Sequence, residues 1–239
     1  MGNSNELHVD HTHRDVRGGG FRAAIFGVSD GLVSNVSLVL GTAAAHPGAG
    51  FVRLAGLAGL FGGAFSMAAG EYISMQAQRE AFQRELAIEA EEILRRPEGE
   101  RRELEHIYRA RGIDAEIAHR LAEELMADPV VALATHAREE LGLDPDELGS
   151  PYQAALSSFV TFAVGALVPL VAFLGGSSGT TAVVIAVGLT ALGALVVGGL
   201  LSLVTVRSWY FSAARQLAIC AIAGAATYGI GSAIGTAVH

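Results

Sequence analysis

Two groups of residues in this chain have the types and spacing to hold a divalent cation. Asp30 stands in Gly27-Val28-Ser29-Asp30-Gly31, one-third of the way into a long apolar stretch. If that stretch crosses a bilayer, an ionised carboxylate there is costly unless it meets water, a partner or a cation. Met67, Glu71 and Met75 recur every fourth residue in the next apolar stretch and share one helical face. A carboxylate beside a thioether makes a mixed hard and soft site, suited to Fe2+ or Mn2+ better than to Mg2+ or Ca2+, which take oxygen alone. The second group is a set of glutamates on a charged segment. Glu89 and Glu92, then Glu100 and Glu103, border the apolar stripes of two successive helices, so their carboxylates would face one another across a seam.

Each feature has a plainer reading. Asp30 could be a hydrogen-bonded structural aspartate. Glu71, near a span's end, could snorkel to water. Methionine in a helix is commonly core filler, and an acid-rich helical face commonly does no more than keep a bundle soluble. The pairing of glutamates along two seam edges argues against the last. Ser34 and Ser37 follow Asp30 one and two turns on and extend a polar track, while Gly27 and Gly31 form a G-x-x-x-G pair that would let another helix approach.

The elements that must position these residues follow from charge and hydropathy. Residues 78–150 hold 19 of the 24 acidic residues and 10 of the 16 arginines, a net charge of −9 against +1 for the rest; the chain has no lysine. Five apolar segments, about 23–45, 54–77, 154–174, 179–206 and 211–238, are each long enough to cross about 30 Å of hydrocarbon as a helix. Lipid cannot satisfy an open strand, so the expected fold is an all-α membrane protein with five transmembrane helices and a small helical metal-binding domain inserted between spans two and three. The expected divisions are a polar tail (1–21) carrying His8, His11 and His13, spans one and two (22–77), the acidic module (78–150) and spans three to five (151–239).

After Gly70 no glycine or proline intervenes until Pro97, which predicts one helix from about 54 to 95 that leaves the membrane and enters the module. Breaks at Pro97, Gly112, Pro129 and Gly142 predict short helices at about 98–111, 114–127 and 129–141, with stripes of Leu86, Ala90 and Ile93, of Leu104, Ile107 and Tyr108, and of Ile117, Leu121 and Leu125. Arginines cluster on one side of the spans, and only Arg53 falls on the other; the positive-inside bias puts the N-terminus and the acidic module in the cytoplasm. The first 20 residues are polar and span one is too long for a signal core, so no cleavable signal is expected. Cys220, the only cysteine, lies in an apolar helix and offers neither a disulfide nor a thiolate site.

Other classes fit less well. Glu103-x-x-His106 and Glu116-x-x-His119 match the E-x-x-H pairs of di-iron oxidases, but both histidines project far from their apolar stripes, toward solvent. A membrane-anchored ferroxidase or metal-storage protein is the alternative to a carrier. A hydrolase built on Asp30 and Glu71 lacks any accompanying nucleophile or metal motif, and a pump lacks a phosphate-binding loop.

Four motifs carry a resemblance: Ser29-Asp30-Gly31-Leu32-Val33-Ser34, Gly62-Gly63-Ala64-Phe65-Ser66-Met67-Ala68-Ala69-Gly70-Glu71-Tyr72, Glu139-Glu140-Leu141-Gly142-Leu143-Asp144-Pro145 and Val168-Pro169-Leu170. Together, from about residue 20 onward, the chain resembles the vacuolar iron transporter family, and spans one and two look closer to its bacterial and plant nodulin-like branch. The resemblance implies a homodimer exporting Fe2+, and often Mn2+, from the cytosol in exchange for protons. The metal is cargo, no prosthetic group or nucleic acid is involved, and the protein is not an enzyme. The likeness carries intramembrane metal-pathway roles onto Asp30 and Met67, and metal-collecting roles onto Glu89, Glu92, Glu100, Glu103 and Glu140. It also shows departures. Where the family has a methionine pair, this chain has His136 and Ala137, and His136, one turn before Glu140, is placed to replace a ligand. A glutamate of span two is replaced by Gly59, with Glu71 the candidate to compensate. The proline after S-D-G-L is missing, with Val33-Ser34-Asn35 in its place. The lysine-free, Ala/Gly-rich composition points to a bacterial inner membrane. Small-residue runs such as Gly231-x-x-x-Gly235 suit tight packing, within the chain or across a dimer.

Overall fold

A computed structural model describes residues 19–45, 48–142, 149–202, 205 and 207–238. Among them are eight helices and no strand: α1 (Gly19–Ala44), α2 (Ala49–Arg95), α3 (Pro97–Ala110), α4 (Ala115–Met126), α5 (Pro129–Glu139), α6 (Pro151–Leu174), α7 (Gly179–Ser202) and α8 (Trp209–Val238). Five of them, α1, α2, α6, α7 and α8, are long and apolar enough to cross a membrane. Their outward faces carry large apolar side chains, among them Phe61, Phe65 and Ile73 of α2 and Ile222 and Ile230 of α8. So much exposed apolar surface fits lipid and not water.

Hydrocarbon gives apolar helices no reason to associate, so close backbone contact through small residues has to hold them together. One close crossing joins α1 to α6: a Cβ at Gly31 would strike the Phe162 carbonyl, and one at Gly165 would strike the carbonyl of Val28. Gly27 is equally closed in, by Thr161, so the expected G-x-x-x-G contact exists and its partner is α6. At the other end of α1, Gly231 of α8 lies against the Gly41 carbonyl and Gly235 against Ala45. Those two glycines are therefore taken up by packing within the chain. A polar link, Gln216 Nε2 donating to Ser29 Oγ at 2.7 Å, also ties α8 to α1.

α2 is a single helix of 47 residues, roughly 70 Å long at 1.5 Å per residue. It stops where expected: Pro97 disfavours helical backbone at Arg96, which turns to φ −136° and ψ 50°. The short helices start on well-formed caps. Asp114 Oδ1 accepts from the N–H of Glu116 at 2.9 Å and Asp128 Oδ1 from that of Val130 at 2.8 Å, each satisfying an N–H that the first turn leaves open. Pro97 and Pro129 occupy first helical positions, where their missing N–H is no loss. Gly112, at φ +90°, supplies the left-handed turn after α3.

The short helices share a core of Leu104, Tyr108, Ala118 and Ala122, flanked by Leu121 and Leu125. This corrects one stripe: Ile117 is exposed, and Ala118 and Ala122 face inward instead. Alanines there let α4 lie close on α3. Helix α5 packs against α2 and buries Ala132, His136 and Ala137. The tail histidines His8, His11 and His13, and the Asp144-Pro145 turn, lie outside the described residues.

Candidate functional site

The predicted residues fall into two places. In the apolar half, Asp30 of α1 and Met67 of α2 line one pocket of about 290 Å³, together with Ser34, Asn35, Leu38, Gly59, Gly63, Ser66 and Phe162. Asp30 is exposed on the flank of the single chain, and Met67 is half-buried. Helix α1 presents the carboxylate at this point because an adjoining side, about 60° to 100° around the helix, is locked to α6 through Gly27 and Gly31. Gly59 and Gly63, lacking side chains, make room for Leu38 and the Phe162 ring, which a Cβ at either would strike. The serine track is partly used up locally: Ser34 Oγ donates to the Asp30 carbonyl at 2.6 Å and Ser37 Oγ to that of Val33 at 2.8 Å. Their oxygens still accept, but their protons serve the helix.

Glu71 is half-buried one turn beyond Met67 and does not line this pocket. Met75 is buried, and Gly149 lies against its methyl group. Of the face formed by Met67, Glu71 and Met75, only Met67 reaches the cavity, and Met75 is packing.

The second place is built by α2, α3 and α5. Glu89, Glu100 and His136 are all buried, and one potential ligand atom from each lies within 4.8 Å of the others. His136 is 0 % exposed; its Nδ1 stands 3.1 Å from Glu89 Oε1 and 3.6 Å from Glu140 Oε2. Neither imidazole nitrogen has a hydrogen bond, nor does Glu89 Oε1. Buried polar atoms are normally paired; Glu89 Oε1 and one imidazole nitrogen, together with an oxygen of Glu100, lie close enough to hold one cation between them. Glu140 sits at the rim, where α5 ends, and Glu92 and Glu103 are exposed beside the cluster.

Electrostatics supports the same grouping. Glu89 is pushed from the ordinary 4.5 up to about 7, first by burial and then by the charges of Glu140, Glu100, Glu92 and Glu103. Glu100 is also raised, by burial and then by Glu103, against a lowering effect of His136. Crowded carboxylates in a poorly solvated place cannot all stay ionised; a proton or a metal ion relieves them. The imidazole and carboxylates together suit a borderline transition metal.

The E-x-x-H pairs form no such site. His106 is exposed, and His119 reaches across to Glu105 at 3.1 Å, with Arg101 bridging the same carboxylate at 3.3 Å. His119 and Arg101 pull the Glu105 carboxyl below its ordinary value, which marks a surface ion-pair network.

Sequence reasoning passed over one side chain in the apolar pocket. Asn35 is fully buried and its amide oxygen has no hydrogen-bond partner. An amide in mid-span was the available signal, but residue 35 lies about 140° around the helix from residue 30 and off the Asp30–Ser34 face.

Comparison with known proteins places the chain in a family. The VIT family model matches residues 21–232. Vacuolar iron transporter 1 of Oryza sativa subsp. japonica is 32% identical over 96% of this chain and 91% of its own length. Vacuolar iron transporter 1 of Eucalyptus grandis is 32% identical over 89% of this chain and 86% of its own. Vacuolar iron transporter of Acanthamoeba castellanii reaches 39% identity over 64% of this chain and 54% of its own. These relatives are transporters by name, not enzymes, and names that place them in the vacuoles of plants and an amoeba lend no support to a bacterial inner membrane. With the family's model spanning nearly all of its helices, the chain belongs to the VIT family.

Proposed function

We propose that this protein is a proton-coupled carrier that moves Fe2+, Mn2+ or both out of the cytosol. The observation that carries the reading is the buried meeting of Glu89, Glu100 and His136 on a helix that continues to the pocket of Asp30 and Met67. In this reading residues 78–150 form a cytoplasmic domain that collects metal. Glu89, Glu100 and His136 grip the ion, with Glu140, Glu92 and Glu103 drawing it in from the rim. The ion then passes along α2 by way of Glu71 to Met67 and Asp30.

Metal and proton compete for the same lone pairs, because a carboxylate or imidazole must lose its proton to bind a cation. A Glu89 that titrates near pH 7 releases its proton when metal arrives and takes it back when metal leaves. The same competition at Asp30 would give exchange of metal for protons across the membrane.

A second copy of the chain fits the apolar half. Asp30 opens on the flank, and a carboxylate facing lipid is costly; a homodimer would close the pocket into a path between subunits. The arginine bias supports an N-terminus and metal-collecting domain on the cytoplasmic side.

The test is uptake of Fe2+ and Mn2+ by the purified protein in liposomes with an imposed pH gradient. Asp30→Ala is expected to abolish uptake. Unchanged transport in that variant would remove Asp30 from the path.

A further inference from the structure

Asn35 of α1 is 1 % exposed, and its Nδ2 donates to the Ala166 carbonyl of α6 at 2.5 Å. A carbonyl oxygen can only accept, so this bond decides which way round the amide sits: nitrogen toward α6, oxygen away from it. Oδ1 turns toward α2, where a Cβ on Gly59 would lie 3.1 Å from it. No hydrogen bond reaches Oδ1. The side chain lines the same pocket as Asp30 and Met67. A strong acceptor has thus been fixed in orientation, taken out of solvent and left without a donor, in a cavity that holds a carboxylate and a thioether.

Resting on the carrier reading of that pocket, we propose that Asn35 Oδ1 is a further ligand for the transported cation and a determinant of which cation passes. An ion entering the pocket sheds water oxygens, and a fixed carbonyl replaces one of them without adding charge. Carbonyl and carboxylate oxygens favour Mn2+, whereas the Met67 sulfur favours softer ions. Asn35 therefore shifts the pocket toward the harder cargo. Its neutrality matters too: it adds an oxygen to the pocket without adding to the negative charge that Asp30 supplies, and so does not deepen the hold on the ion. Conduction requires sites that bind well enough to admit an ion and weakly enough to release it.

The experiment measures Mn2+ and Fe2+ uptake against concentration for the full-length protein in liposomes, comparing the unaltered chain with Asn35→Leu, Asn35→Asp, Leu38→Ala with and without Gly59→Ala, and Asp30→Asn. Asn35→Leu is expected to raise the KM for Mn2+ about tenfold and that for Fe2+ by less, since Met67 remains. Asn35→Asp loses the donor to Ala166 but keeps an oxygen at the pocket, so it should hold the Mn2+ KM at or below that of the unaltered protein while lowering the maximal rate. If Asn35 only ties α1 to α6, Leu and Asp will impair transport alike and leave the Mn2+ to Fe2+ preference unmoved; that result overturns the proposal. Gly59→Ala sets a Cβ 2.3 Å from Leu38 Cδ2 and 3.1 Å from Oδ1, so it is combined with Leu38→Ala to relieve the first contact; it decides the matter if Asn35→Leu does not fold, since a Mn2+ KM raised above that of Leu38→Ala alone supports the ligand role and an unchanged one overturns it. Should Asn35→Leu match the unaltered protein while Asp30→Asn is inactive, the ligand role fails and the carrier stands. Should Asp30→Asn transport normally, the carrier reading itself fails, and this inference with it.

Discussion

In the apolar half of the molecule, Asp30 is the only carboxylate lining its pocket among the described residues, on the open flank of α1, with a thioether and an amide nearby. In the polar half, Glu89 and Glu100 are pressed together with His136 under α5, and further glutamates stand at the rim. The first arrangement is shallow, carries one negative charge and opens sideways. The second is enclosed, concentrates charge and brings its ligand atoms from three helices. A single chain can complete the second alone, while the first leaves a carboxylate facing the side where lipid or another subunit lies. On the carrier reading proposed above, the contrast would separate two tasks. A site that captures metal from dilute solution gains from many converging donors, whereas a site that passes metal onward must not hold it.

That separation can be broken experimentally, and the largest effect is expected at Asp30. Asp30→Asn should eliminate uptake by liposomes while leaving metal binding by the polar helices, followed by calorimetry, as in the unaltered protein. If binding collapses as well, the two places are not independent. Next, His136→Ala should weaken Mn2+ or Fe2+ binding by about tenfold or more, yet uptake at saturating metal should persist. Loss of uptake at every concentration would mean that the cluster is part of the path and not a collector.

A pH titration sharpens the contrast further. Metal affinity of the cluster should climb as pH rises through about 7, where Glu89 gives up its proton. Without metal the sign for stability is the reverse. Glu89 is raised above its unfolded value of 4.5, so its contribution is full below 4.5 and is lost as pH climbs to about 7. Thermal melting of the metal-free protein at several pH values checks this, and Glu89→Gln should flatten the dependence. A smaller change is expected from Glu92→Gln. That side chain is exposed and acts through charge alone, so affinity should fall by no more than about threefold at low salt and less at high salt. His106→Ala should change neither binding nor uptake; a measurable loss of iron oxidation in it would revive the ferroxidase alternative.

Much of this was legible in the sequence. The five spans, the unbroken α2 and the three short helices follow from apolar run length and from the positions of proline and glycine, which act locally. Pro97 and Pro129 mark helix starts within a residue or so of prediction because the restriction they impose belongs to their own ring. Side-chain facing was harder. Ile117 looks like a core residue by type, but Ala118 and Ala122 face α3, because closeness of approach is decided by a partner helix that the local pattern does not contain. The same limit applies to Gly231 and Gly235, whose sequence advertises tight packing without naming α1 as the partner. His136 was recognised as a possible ligand from its place one turn before Glu140, but its meeting with Glu100 depends on how α3 folds back. Asn35 stands out in the sequence only as part of a departure from the family, because what fixes its amide is a bond to Ala166, 131 residues away.

The length of α2 has one more implication. Glu71 and Glu89 stand about five full turns apart on it, so they share an azimuth and are separated by roughly 27 Å. On the carrier reading, ions held at both would repel only as far as about 27 Å of protein and lipid leaves them unscreened, and distance alone keeps that repulsion well below the one two neighbouring ions feel. The unbroken helix between them would also carry any tilt or twist at one end to the other.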